Sequence, residues 1–108
     1  MSDVTSLLIA FSSGEREDKV LTHLRQHMHR GQPFRIVSVK DAALPTGWYG
    51  GSKYLETGLL VGAYNYLDLV ALLAFMQRME WEDPEDVQLI IKEQEAFKFR
   101  IINLFPDA

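Results

Sequence analysis

The run Leu7-Leu8-Ile9-Ala10-Phe11, entered from Ser6 and closed by Ser12-Ser13-Gly14, constrains the fold more than any other stretch of this chain. Five consecutive apolar residues leave no polar side chain for water on either face of a strand. The segment therefore reads as a strand covered on both faces and central in a sheet. Helix signals follow at once. Ser12 and Glu15 have capping-box spacing, Glu15, Glu17 and Asp18 bring acids to the first turn, and Val20, Leu21, Leu24 and Met28 recur on one helical face. His29 and Arg30 suit a helix C-terminus, and Gly31 suits the left-handed residue that ends one, so the expected helix runs from about Gly14 to Arg30.

After Pro33, the segment from Phe34 to Lys40 is β-branched and alternates with polar residues, which predicts a second strand. A third runs from Tyr54 or Glu56 through Tyr66, with Gly58 and Gly62 marking a bulge or a close backbone approach. Asp68 is placed to cap a second helix whose Leu69, Leu72, Leu73, Met76 and Met79 keep helical spacing. Val87 to Gln94 reads as a fourth strand. Phe97, Phe99 and Ile101, alternating with Lys98 and Arg100 toward Phe105, read as a fifth, joined to it by a short turn near Glu95-Ala96.

The order β-α-β-β-α-β-β contains the split βαβ of a ferredoxin-like fold. The expected class is α+β, ferredoxin-like βαββαβ with an additional C-terminal strand: an antiparallel sheet with two helices on one face. Across that sheet the expected order is fourth, first, third, second, with the fifth strand beside the fourth. A length of 108 residues suits a single domain, 1–108, and 47% apolar with 24% charged residues is a globular balance. Five strands with one bare face and open edges point to a homo-oligomer.

A net charge of -4 and a pI near 5.3 argue against a nucleic-acid partner, which would call for surplus Lys and Arg. With no cysteine there are no disulfides, thiolate metal sites or cysteine nucleophiles. Met1-Ser2-Asp3-Val4 lacks the basic start of a signal peptide, so the expected location is cytoplasmic. The rival is a membrane span over Gly58–Met76, whose strongly polar members are Asn65 and Asp68. An Asp near the centre of a span costs about 2.5 to 3.5 kcal/mol, so a strand, a turn and a buried helix explain the stretch better, with no membrane partner.

Three places invite a site. The first is Trp48, Tyr49, Gly50, Gly51 and Lys53, between the second and third strands, where large aromatics beside glycines suit a binding loop; the alternative folds those aromatics back over the sheet. The second is the turn Ser12-Ser13-Gly14, whose hydroxyls and N–H groups could hold a phosphate or carboxylate as a small anionic ligand, against ordinary capping. The third is His23 and His27, at the i, i+4 spacing of a metal pair but without a third ligand that the sequence identifies; the alternative is cations suited to a helix end. No enzyme constellation assembles, and no cofactor motif is present: neither GxxxxGK[ST] nor GxGxxG occurs. Charge is segregated, with Lys19, Arg25, Arg30, Arg35 and Lys40 in a stretch free of acids, and Glu80, Glu82, Asp83, Glu85 and Asp86 together further on.

The ferredoxin-like order with Gly47-Trp48-Tyr49-Gly50-Gly51 and Glu56 between the second and third strands resembles the CutA and PII-like group of small oligomeric proteins. The likeness spans residues 5 to 105 as topology and about ten residues as motif. It departs from that group in lacking cysteine and any basic nucleotide signature. The resemblance implies a trimer-forming binding or regulatory protein with sites between subunits. The expected function is a small non-enzymatic binding or regulatory module that acts as an oligomer on a partner protein or small anionic ligand. Two alternatives stand beside it: an acidic inhibitor or immunity-type protein presenting Glu80–Asp86 to a basic cleft, and a small-molecule enzyme using the histidines.

Overall fold

A computed structural model describes residues 2–39 and 57–107. Its main sheet has five strands, built on β1 (Val4–Ser12) and β5 (Thr57–Asn65), which pair antiparallel along their whole lengths from Val4–Asn65 to Ser12–Thr57. On the other side of β1 lies β6 (Gln88–Lys92), and β7 (Arg100–Asn103) follows outside it. At the opposite edge β4 (Val37–Ser38) pairs with Val61 and Leu60 of β5. The order across the sheet is β4-β5-β1-β6-β7, with every pairing antiparallel. The two α-helices among the described residues are α1 (Glu17–Leu24) and α2 (Leu69–Gln77). The class is therefore α+β.

Both helices pack into one core. Val20 and Leu24 from α1 and Leu72 and Met76 from α2 join Leu7, Ile9 and Phe11 of β1, Leu60 and Tyr64 of β5, and Leu89 and Ile91 of β6. Each such side chain taken wholly out of water contributes about 1.5–3 kcal/mol before entropy is counted. The cap of α2 is as its sequence predicts: the Asp68 carboxylate accepts from the Ala71 N–H at 3.1 Å.

The first helix is shorter than its periodicity predicts. It ends at Leu24, and the expected tail instead forms a small ribbon, β2 (Met28–His29) with β3 (Gln32–Pro33). The link is Arg30-Gly31, with φ of 51° and 80°, the left-handed pair that a two-residue hairpin requires. Gly31 is thus left-handed as expected, but in a hairpin and not at a helix end. The element order consequently differs from βαββαββ, because a ribbon stands between α1 and the sheet's edge strand.

Three further expectations change. The second strand is reduced to Val37–Ser38, because Phe34 donates its N–H to the His27 carbonyl (2.8 Å) and the Arg35 carbonyl accepts from the Tyr64 hydroxyl (2.5 Å) in place of a ladder. The fifth strand begins only at Arg100, leaving Phe97 and Phe99 in a connection longer than a tight turn. Finally, β1 alternates: Leu7, Ile9 and Phe11 are buried while Leu8 and Ala10 are only partly so, which places the helices over one face. Gly58 and Gly62 sit in unbroken register, so they mark close approach and no bulge: a Cβ at 58 would strike the Phe11 ring and one at 62 the Tyr64 ring. The Gly58–Met76 stretch is strand, turn and helix, and no helix among the described residues is long and apolar enough to cross a membrane.

Candidate functional site: a groove beside the first helix

Along α1, Lys19 and His23, with Gln26 just past the helix, form a polar stripe at i, i+4, i+7 beside the buried Val20 and Leu24. This stripe faces the chain leaving α2. Between them is a hollow of about 290 Å³ lined by His23, Gln26, Phe75, Arg78, Met79 and Glu80. A second hollow of about 230 Å³ shares His23 and Glu80 in its wall and adds Gly14, Glu15, Arg16, Lys19, Val20 and Glu82. Together they make a groove lined by the basic groups Arg16, Lys19 and Arg78 and the acids Glu15, Glu80 and Glu82, at the lower end of the size range of small-molecule sites.

One wall of the groove is held by a latch. The Ser12 hydroxyl donates to Asp83 Oδ2 (2.5 Å) and accepts from the Gly14 N–H (3.0 Å). The Glu15 carboxylate accepts the backbone N–H groups of Glu82 (3.0 Å) and Asp83 (2.8 Å). A Cβ at Gly14 would lie 2.7 Å from Asp83 Oδ2, so this approach depends on glycine. The capping box expected of Ser12 and Glu15 is not what forms. Arg16 is the N-cap without a side-chain bond, and Ser12 and Glu15 tie the strand-to-helix turn to the acidic segment.

The candidate residues separate in space. Ser12 is committed to Asp83 and to the Gly14 N–H. Ser13 is exposed and lines a hollow of about 60 Å³ with Ser12 and Thr57. His23 lies in the groove wall. His27 instead packs its ring against Phe75 (centroids 5.0 Å) and Phe34 (5.8 Å), and His29 meets Tyr64 edge-on at 5.6 Å. Burial, then the neighbouring His29, holds the His27 pKa below its usual 6.5. Among the described residues no group of three or more His, Cys, Asp or Glu is placed to hold a metal ion. Trp48, Tyr49, Gly50, Gly51 and Lys53 lie outside the described residues. Within the acidic segment, Trp81 turns inward: its Nε1–H donates to the Met76 carbonyl (2.9 Å) and its ring lies 6.1 Å from that of Phe11.

Arg78 and Phe75 were not singled out from sequence, and Glu80 was read there as part of the acidic Glu80–Asp86 surface, not as a wall of a groove. The Lys19, His23, Gln26 spacing was a readable signal for one wall, but the other wall comes from about fifty residues further along the chain and carries no motif. No family model matches the chain, and no curated protein or solved structure does either.

Proposed function

We propose that the chain is a non-enzymatic binding module of ferredoxin-like arrangement that acts as an oligomer and holds a small anionic ligand in the groove between α1 and the segment after α2. The groove carries this reading. Arg78 in the first hollow and Lys19 in the second are available as counter-charges for a ligand's acidic group, and Glu80, which lines both, can accept from a donor on the same ligand. The ferredoxin-like arrangement is supported by β1 lying between β5 and β6 with all pairings antiparallel and both helices in one core. Trp48 and Tyr49 enter as partner-contacting residues on sequence grounds.

Isothermal titration with inorganic phosphate, citrate and ADP tests the ligand. Saturable binding of at least one, weakened about tenfold or more by Arg78→Ala, is expected, since a charge-assisted contact is worth about 1.5–3 kcal/mol. Absence of heat with all three, or binding indifferent to Arg78→Ala, overturns the groove as the site.

A further inference from the structure

Two histidines fasten the ribbon β2–β3 to the rest of the molecule. The His27 ring, one residue before β2, lies 5.8 Å from that of Phe34 and 5.0 Å from that of Phe75 on α2, and His29 meets Tyr64 of β5 edge-on at 5.6 Å. The base of the ribbon is closed by the Phe34 N–H, which donates to the His27 carbonyl (2.8 Å). Its far end, Arg30 to Pro33, is exposed, with the Arg30 guanidinium over the Tyr66 ring at 5.1 Å. Phe34 itself is wholly buried and stacked on Tyr64 at 4.5 Å, and the carbonyl of Arg35 accepts from the Tyr64 hydroxyl. One flank of the hairpin is thus anchored in the core, while the other rests on imidazole, the side chain whose charge changes near neutral pH.

We infer that the ribbon is an acid-released strap: when His27 takes up a proton, the segment from His27 to Pro33 peels away from Phe75 and from Phe34, which stays in the core. The surroundings of the ring set the direction. Partial burial strips water from the charged form, His29 on the ribbon and Arg78 at the C-terminal end of α2 add repulsion, and Asp68 at the N-cap of the same helix attracts. Asp68 is already engaged by the Ala71 N–H. From the other packed elements, Arg35 beside Phe34 is exposed, Tyr64 is a phenol whose pKa burial raises, and His23, four residues back on α1, lies in the groove wall. The balance holds the docked His27 below its usual 6.5, whereas a freed imidazole in water returns to it, so protonation favours the peeled state. Opening one short, exposed hairpin gives up far less packing than unfolding does. The strap also bears on the groove, because Phe75 meets His27 and lines the first hollow together with Gln26, the residue before His27. Acid release then loosens that wall at its ribbon end. The inference goes beyond the proposed ligand and does not depend on it.

Hydrogen exchange followed by NMR on the intact chain, at about pH 7.5 and about pH 5 with and without low urea, tests it. The reporter is the Phe34 amide, and the Leu7 and Ile9 amides of β1 stand for the whole fold. Phe34 is expected to be protected at least about tenfold less than the β1 amides, through an opening that urea scarcely promotes. After correction for intrinsic exchange rates, its protection is expected to fall at least about threefold in acid. His27→Phe keeps a ring against Phe34 and Phe75 but takes no proton, and should abolish the fall. Phe34 exchange at the β1 rate, with the urea dependence of β1, would mean that the ribbon leaves only when the whole fold does, and overturns the strap. Equal protection at both pH values overturns it as well. A fall that persists in His27→Phe assigns the release to another group and overturns His27 as its trigger. Should His27→Phe not fold, the wild type decides: the His27 ring protons and the Phe34 protection are expected to share one titration midpoint, and separate midpoints overturn the inference.

Discussion

Replacing Gly58 by Ala probes a close approach of strand backbone to a buried ring. Gly58 pairs with Phe11, and a Cβ added there would fall within forbidden distance of Cε2, Cδ2 and Cζ of the Phe11 ring. That ring is 2% exposed and is backed by Trp81, which is itself held by its bond to the Met76 carbonyl. The added methyl can be accommodated only by moving a buried ring that has another ring behind it. Overpacking of this kind costs about 1–3 kcal/mol, and the lower unfolded-state entropy of Ala returns about 0.4–1 kcal/mol. A net loss of about 1–2 kcal/mol is expected. At about 4 °C per kcal/mol for a domain of this size, the melting temperature should fall by about 4–8 °C in calorimetry.

A double-mutant cycle sharpens the test. Phe11→Ala alone should cost about 3–5 kcal/mol, but in that background the Gly58 methyl meets no ring, so the pair should cost less than the two losses added. A Gly58→Ala protein that melts at or above the wild-type temperature, or a strictly additive pair, would refute the contact.

Ser12→Ala should lower stability by about 1–3 kcal/mol in urea unfolding, because it removes the donor to a part-buried Asp83 carboxylate; no change would show the latch to be inert. Tyr64, whose pKa burial raises well above 10, contributes stability that is full below about pH 10 and lost as pH rises further, because the unfolded state ionises first. Tyr64→Phe should abolish that alkaline loss at a cost of about 0.5–1.5 kcal/mol for the bond to the Arg35 carbonyl. His27 has the opposite direction of shift: burial, His29 and Arg78 lower its pKa while Asp68 opposes them, so the unfolded state takes up the proton more readily and stability falls as pH drops through about 6.5. Urea midpoints should decline from about pH 7.5 to about pH 5, and less steeply in His27→Gln; equal slopes would refute the assignment.

Local signals carried α2 and the long central strands well, because their information is short-range. Asp68 caps three residues ahead, and Leu72 and Met76 share a face by spacing alone. The end of α1 was not legible for a physical reason. A left-handed Gly31 serves a helix end and a two-residue hairpin equally, and what selects the hairpin is distant: Phe34 bonds back to His27 and stacks on Tyr64 at 4.5 Å. The fifth strand was over-extended because alternation through Phe97 and Phe99 says nothing of register, and the observed pairing with β6 begins at Ile91–Arg100. The continuous apolar run of β1 promised two covered faces, and among the described residues the helices cover one. Of the groove, only the α1 stripe is periodic. Arg78 and Glu80 reach it through tertiary packing.

The segregation of charge along the chain is partly undone in space, and that too can be measured. Lys19 and His23 belong to the stretch free of acids, Glu80 and Glu82 to the acidic one, yet all four line one hollow together with Glu15. Arg35 comes from the same basic stretch, is exposed, and lines neither hollow. If the fold places Lys19 among carboxylates, Lys19→Glu adds a like charge to three acids and should destabilise by about 0.5–1 kcal/mol more than Arg35→Glu at low salt, the scale of exposed charge pairs. The excess should fade in about 1 M salt, where the screening length shrinks to about 3 Å. Urea unfolding of both variants at two ionic strengths reads the difference directly. Equal losses at low salt, or an excess that persists in high salt, would mean that Lys19 does not stand opposite Glu80 and Glu82, and the electrostatic pairing of the groove walls would fall with it.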